Sequence, residues 1–114
     1  MISTGKIIFD LLCASTALHD LVGDNIFPLV APEETKAPFV IYGREFIITQ
    51  SKDRGNNGMA TITISIVSND YISGINIAEE CLKALKNDCR LISGSEVYES
   101  DVYAQTLIFS YWGV

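Results

Sequence analysis

The sequence contains few of the residues that usually carry chemistry. Among its 114 residues are one histidine and three cysteines, and the cysteines form no CxxC pair. A metal site needs Cys, His or carboxylate ligands that converge, whereas His19, Cys13, Cys81 and Cys89 are dispersed along the chain. A GxSxG motif, which would indicate a hydrolytic serine, is also missing. We therefore expect no enzyme activity, no cofactor and no metal.

Basic residues are scarce as well. Eight Lys and Arg stand against fourteen Asp and Glu, and the formal net charge is -6. Binding to nucleic acid or to an anionic membrane requires clustered cations, so the composition disfavours both. No apolar run has the length of a membrane span, and Asp10 interrupts the one near the N-terminus. We expect a mature N-terminus and a cytoplasmic protein. The odd cysteine count favours reduced thiols, with Cys13 and Cys81 in the core.

Helical periodicity is present in two parts of the chain. Ser3 or Thr4 can cap a first helix, and Ser15 or Thr16 a short second one that ends at Gly23. A later, longer helix follows Asn69 or Asp70. Its apolar residues recur at helical spacing: Tyr71, Ile75, Ala78, Leu82 and Leu85.

Strand patterns fill the remainder of the chain. Residues 39–48 and 59–67 read as two strands separated by a polar loop, residues 50–58, and two more strands cover residues 91–98 and 103–112. The order α-α-β-β-α-β-β predicts a single α+β domain over residues 1–114. We expect its helices to pack on one face of a four-stranded, mainly antiparallel sheet. The other face carries Val40, Tyr42 and Phe46 or their alternates, which favours either self-association or a cover formed by the connector described next.

The connector between the helices and the first strand holds all three prolines of the chain. It lies within NIFPLVAPEETKAPFVIYG, residues 25–43. Proline fixes its own φ and biases the preceding residue toward extended geometry. Pro28, Pro32 and Pro38 therefore predict an open, non-helical segment.

The connector and its flanks resemble tail completion proteins of long-tailed bacteriophages and prophages, also called tail terminator or tail-to-head joining proteins. Residues 18–23, LHDLVG, match their Leu-x-x-Leu-Val-Gly element, and residues 24–32 match (Asp/Gly)-x-Ile-(Phe/Tyr)-Pro-x-x-Ala-Pro. A proline-led strand follows at residues 38–42. The resemblance extends over nearly the whole chain and is strongest at residues 18–42. It departs at residues 65–69, SIVSN, where many members carry a charged, aromatic-containing D(V/I)Y strand.

The resemblance implies a non-enzymatic structural virion protein that forms a ring, commonly a hexamer, at the head-proximal end of the tail tube. The implied partners are further copies of the chain, the tail tube protein and the head–tail connector proteins. DNA would pass through the ring without specific binding, and no membrane is involved. The implied location is the virion tail, with assembly in the bacterial cytoplasm.

The implied contacts lie in two segments. The loop of residues 50–58 would point toward the lumen or the tube, and the connector would be a surface arm or subunit contact. The interface residues that we predict are Arg44, Lys52, Asp53 and Arg54, together with Phe27, Pro28 and Pro32 of the connector.

Two other hypotheses remain open from the sequence. One is a small ligand-binding or regulatory α+β domain, monomeric or dimeric. The other is an enzyme of unrecognised type, for which loss of activity in a His19→Ala variant would be the signature.

Overall fold

The fold is α+β and is built on one mixed β-sheet. The computed structural model describes residues 4–51 and 55–111, and for residues 46–51 and 55–59 it describes the backbone alone. Within these ranges the helices are α1 (Thr4–Cys13), α2 (Thr16–Val22) and α3 (Tyr71–Leu85). The strands are β1 (Ile26–Pro28), β2 (Phe39–Ser51), β3 (Gly55–Ser68), β4 (Cys89–Glu99) and β5 (Val102–Tyr111).

Side-chain caps and turn residues set the ends of several elements, as the sequence predicts. The side chain of Ser15 accepts a hydrogen bond from the Leu18 amide (3.2 Å), and Asp70 accepts one from the Ser73 amide (2.9 Å). Each satisfies an amide that has no partner within its own helix. Gly23 ends α2 with φ of 63°, a conformation that glycine adopts at little cost.

The sheet has the strand order β1-β2-β3-β5-β4. The expected four-stranded sheet is therefore wrong by one strand, since β1 lies inside the connector and pairs in parallel with β2. The other neighbouring strands are antiparallel. A three-residue strand is too short to show an alternating pattern. Proline lacks a backbone N–H, and Pro28 is tolerated in β1 because β1 is an edge strand.

The core lies between the helices and one face of the sheet. Ile62, Ile64 and Ile66 alternate along β3 and are fully buried on the helix side. The helices contribute buried residues from one stripe each: Ile8, Leu12, Leu18, Val22, Ile77, Ala78, Cys81 and Leu85.

Two expectations about buried side chains are wrong. Tyr71 is 41% exposed, and Ile77 replaces it in the buried stripe of α3. Tyr71 begins α3, so its side chain lies at the end of the helix rather than over the sheet centre. Cys13 ends α1 and is exposed, whereas Cys89 at the start of β4 is buried.

The β2–β3 hairpin extends well beyond the body of the sheet. Its register runs from Phe39↔Val67 to Ser51↔Gly55, whereas β5, which is described up to Tyr111, pairs with β3 as far as Ala60↔Tyr111 within the described residues. We call the part beyond Ala60 the hairpin arm. The predicted loop of residues 50–58 is wrong in its bounds. Residues 50, 51 and 55–58 belong to β2 and β3, and residues 52–54 lie outside the described residues. A two-stranded arm has no core face, so apolar alternation is not required of its sequence.

The protein measures 51 × 27 × 24 Å along its principal axes. Its radius of gyration, 14.8 Å, exceeds the roughly 13 Å expected for a compact domain of this length. In the part of the chain that the structure describes, no helix is long and apolar enough to cross a membrane.

Candidate assembly surfaces

One edge of the sheet is formed by a long strand that is exposed along almost its whole length. Ten of the eleven residues of β4 are exposed, and among the described strands β4 pairs with β5 alone. Its apolar side chains include Leu91, Ile92, Val97 and Tyr98, which are 40–59% exposed. Backbone groups along such an edge are free to pair with another chain. Neither proline nor lysine, two residues that commonly block edge pairing, occurs in β4, although the register with β5 shifts once, between Leu91 and Ser93.

The opposite edge is different. There β1 covers β2 only at Val40, Ile41 and Tyr42. The connector then continues along the same edge, where the Leu29 amide donates to the Tyr42 carbonyl (2.8 Å) and Asn25 Nδ2 donates to the Pro38 carbonyl (3.4 Å). The connector is therefore held against the sheet, while Leu29 and Val30 remain 78% and 73% exposed.

The sheet face opposite the helices, here called the outer face, is only partly exposed. It carries Phe39 and Ile41 of β2, whereas Val40 and Tyr42 point toward the helix layer. Phe27 joins this face from β1, and its ring centroid lies 6.5 Å from that of Phe39. Most of the remaining outer-face residues are small, hydroxyl-bearing or aliphatic: Thr61, Thr63, Ser65, Val67, Ala104, Thr106 and Ile108.

A pocket of about 280 Å³ opens beside β4, at the N-terminal end of α3. Three tyrosines form much of its wall. The ring of Tyr103 lies 5.6 Å from that of Tyr71 and 4.7 Å from that of Tyr98, between ring centroids. Tyr71 Oη donates a hydrogen bond to Glu96 Oε1 (2.8 Å). We call this site the tyrosine pocket.

The floor of the tyrosine pocket is closely packed. Ser68 is 1% exposed, and its Oγ donates to the Asp70 carbonyl (2.8 Å). A Cβ at Gly74 would lie 2.7 Å from Ser68 Oγ, so any larger residue at this position would force the Ser68 hydroxyl to move. At the rim, the hydrogen bond and the negative charge of Glu96 raise the pKa of Tyr71 above its usual 10.0. Tyr71 therefore stays protonated and continues to donate at neutral pH.

The predicted interface residues fall into separate groups. Pro28 and Arg44 line one depression with Leu29, and Arg44 Nε lies 3.3 Å from where a Cβ of Gly5 would be. Phe27 faces the outer side of the sheet, and Pro32 is exposed in the connector. Lys52, Asp53 and Arg54 lie outside the described residues.

The surroundings of the sole histidine partly resemble a catalytic arrangement. His19 Nδ1 lies 3.8 Å from Asp24 Oδ1, and both residues line a cavity with Cys13. A nucleophilic cysteine needs a lowered pKa. Here desolvation, with Asp10 and Asp24 nearby, raises the pKa of Cys13. This direction is opposite to the one that a catalytic cysteine requires. In the described ranges no group of three or more His, Cys, Asp or Glu residues could hold a metal ion.

The sequence matches no protein-family model and no curated protein. Its structure is similar to a chain in a solved structure described as "Virion of native gene transfer agent (GTA) particle". The TM-score is 0.79 at 18% identity, over 91% of this chain and 89% of that chain. The likeness is one of fold. It extends over nearly the full length of both chains, so it includes the helix layer and the sheet together.

Sequence reasoning missed both the exposed β4 edge and the tyrosine pocket. A signal for the pocket was present, because Tyr98 and Tyr103 flank a short turn symmetrically and face each other across the β4–β5 ladder. Tyr71 was instead assigned to the core. Nothing in the alternation of β4 distinguishes an edge strand from an inner one, since strand order is a property of the whole sheet.

Proposed function

We propose that this protein is a structural component of a phage-like particle: a tail completion protein that associates with copies of itself into a ring, commonly of six, at the head-proximal end of the tail tube. The ring joins the tail to the head through contacts with the tail tube and head–tail connector proteins. It acts without catalysis or cofactor. Its location is the virion tail, after assembly in the bacterial cytoplasm.

The observation that carries the proposal is the exposed β4 edge. A long edge strand with apolar side chains is an aggregation hazard unless another chain covers it. Ile92 and Val97 are 59% and 53% exposed on this edge, so burial in an assembly would remove apolar surface from water. The opposite edge of the sheet is built differently, which favours a head-to-tail contact between unlike surfaces. Such contacts close into rings when the rotation permits.

Two further observations support the same function. The fold is similar to that of a chain from a gene transfer agent virion, and the connector sequence resembles that of tail completion proteins. The net charge of -6 also suits a channel for DNA, because walls of the same sign as the phosphates do not retain it.

The residues that we propose for subunit or tube contacts follow from these surfaces. The connector presents Phe27, Pro28 and Pro32 at one edge of the sheet, and Arg44 lies beside them. Lys52, Asp53 and Arg54 join the two strands of the hairpin arm.

The test is the mass of the assembly in solution, measured by light scattering after size exclusion. The purified chain is examined alone and with polymerised tail tube protein from the same particle. We expect a species near six times the chain mass of 12.5 kDa, seen as a ring by electron microscopy. A strict monomer under both conditions contradicts the proposal.

A matched pair of variants tests the β4 edge itself. Ile92→Lys places a cation on the edge strand, and Leu21→Lys places one at a partly exposed position on α2. We expect Ile92→Lys to reduce assembly and Leu21→Lys to leave it unchanged, with both variants melting close to the parent chain. Equal assembly of the two variants would show that the edge is not the contact.

A ligand-binding domain is the second candidate, and the tyrosine pocket is the observation in its favour. Its volume of about 280 Å³ is slightly below the ~300–1,000 Å³ of typical small-molecule sites. Under this alternative the chain would remain monomeric or dimeric with tail tube protein present.

A further inference from the structure

The tyrosine pocket is suited to a cation. Three tyrosine side chains line its wall, and Glu96 supplies a carboxylate at the rim. Aromatic faces attract Lys and Arg side chains, and a nearby carboxylate adds to that attraction. The segments that form the pocket and its surroundings, residues 66–77 and 93–106, also contain Asp70, Glu99 and Asp101 but no Lys or Arg. An occupant of complementary charge must therefore come from elsewhere.

The densest pair of cations in the sequence lies between the last described residue of β2 and the first described residue of β3. Ser51 and Gly55 form the last described pair of the hairpin arm, and the three residues that join them are Lys52, Asp53 and Arg54. The arm extends about 17 Å beyond the last β3–β5 pair, at roughly 3.4 Å per residue. It is a two-stranded ribbon, narrow enough to present one or two side chains to a small pocket.

The hairpin arm cannot reach the tyrosine pocket of its own chain. Strand β3 begins at Gly55, which is part of the hairpin arm, and ends at Ser68, which lines the pocket. Fourteen residues of extended strand separate the two sites by about 44 Å. Only a second copy can bring arm and pocket together.

We propose that the tyrosine pocket receives Lys52 or Arg54 from the hairpin arm of a neighbouring copy. The contact joins unlike surfaces at opposite ends of the molecule, so it is head-to-tail: a pair of copies retains one free arm on one copy and one free pocket on the other, to which further copies can add. The pocket opens beside Val97 and Tyr98 of β4, so an arm seated in it lies against the same exposed edge. The inference rests on the proposed self-association and names the two surfaces that meet.

The first test uses charge reversal with a matched control. The arm variant is the double substitution Lys52→Glu/Arg54→Glu, and the two pocket variants are Glu96→Lys and Tyr98→Ala. All three are compared with a control variant, the double substitution Lys6→Glu/Lys86→Glu. The control changes net charge as much as the arm variant, at two exposed positions, one on α1 and one at the C-terminal end of α3. Association is measured by sedimentation, alone and with tail tube protein. We expect the arm and pocket variants to associate about tenfold more weakly, as for loss of one partly desolvated cation–π or ion-pair contact, and the control to match the parent chain.

The second test is rescue. A chain that combines Lys52→Glu, Arg54→Glu and Glu96→Lys carries both surfaces with reversed charge. We expect it to associate more strongly than either reversed variant, which a merely misfolded surface would not do. Thermal unfolding of every variant separates weakened contacts from loss of fold.

The outcomes separate this inference from the proposed function. If Ile92→Lys prevents assembly while the arm and pocket variants assemble like the parent chain, the ring stands and the docking contact is wrong. If the pocket variants alone weaken assembly, the occupant is another cationic segment, and the contact with the arm is again wrong. If the parent chain remains monomeric with tail tube protein present, both proposals fall.

Discussion

The close approach of Gly74 to Ser68 gives a sharp test of the packing beneath the tyrosine pocket. Gly74 lies at the end of the first turn of α3, where alanine would ordinarily stabilise the helix by up to about 1 kcal/mol. In this structure the added methyl group would lie 2.7 Å from Ser68 Oγ, far inside van der Waals contact. Ser68 could rotate away only by giving up its hydrogen bond to the Asp70 carbonyl. The two effects oppose each other, and their sizes decide the sign.

The free-energy cost of the clash should exceed the gain from helix propensity. Overpacking a buried site costs about 1–3 kcal/mol, so Gly74→Ala should lower the free energy of unfolding by about 1 kcal/mol net. Removing the hydroxyl reverses the result. In a Ser68→Ala background the new methyl group faces only the Cβ of residue 68, at 3.7 Å, which is ordinary contact. There Gly74→Ala should stabilise the protein by about 1 kcal/mol.

The assay is a double-mutant cycle measured by denaturant unfolding. We expect Ser68→Ala alone to cost about 0.5–1.5 kcal/mol through its lost hydrogen bond, and the two substitutions to couple by about 2 kcal/mol. For a chain of this size the single Gly74→Ala substitution should lower the melting temperature by about 4 °C. Additive effects, with Gly74→Ala stabilising in both backgrounds, would refute the close packing described for this site.

The remaining predictions concern the cysteines. A thiol reagent at pH 8 should modify Cys13 in the folded protein and all three cysteines after unfolding, since Cys81 and Cys89 are buried. The Cys13→Ser variant should lack the fast reaction. Rapid modification of Cys81 in the folded protein would contradict its burial. Burial, with a smaller contribution from Glu80, raises the pKa of Cys81 from 9.0 to about 12. The folded state therefore holds this proton more tightly than the unfolded state, and the stability it contributes is complete below pH 9 and is lost as pH rises toward 12. Unfolding experiments should show the free energy of unfolding falling by about 1.4 kcal/mol per pH unit for this thiol above pH 9, and Cys81→Ala should reduce that slope.

The sequence predicted the elements whose ends carry local signals. Asp70 caps α3 and Ser15 caps α2 as expected, because capping depends on residues only three positions apart. The two strands predicted over residues 91–98 and 103–112 are also present as β4 and β5, with a tight turn between them. Ser100 and Asp101 have positive φ values of 54° and 65°, as in a two-residue hairpin turn.

The features that the sequence did not predict depend on distant parts of the chain. Strand β1 exists only because β2 lies beside it, and three residues that include Pro28 show no strand pattern on their own. Residues 50, 51 and 55–58 of the hairpin arm are predicted as loop, because the two strands pair there with each other outside the core. The tyrosine pocket was not predicted for a similar reason, since it combines Tyr71 from a helix with Tyr98 and Tyr103 from two strands.

Because the register of the β2–β3 hairpin is continuous, insertions of two residues in each strand can change the length of the arm without changing its pattern of side chains. Side chains alternate between faces with a period of two, so one extra residue in each strand of the arm would exchange the sides to which the residues beyond it point. Two extra residues in each strand would lengthen the arm by about 7 Å and leave those orientations unchanged. The pairs from Phe39↔Val67 to Phe46↔Ala60, which build the body of the sheet, would keep their places in either case. Related chains that assemble at different spacings would be expected to differ in arm length by even numbers of residues per strand, with the core sequence retained.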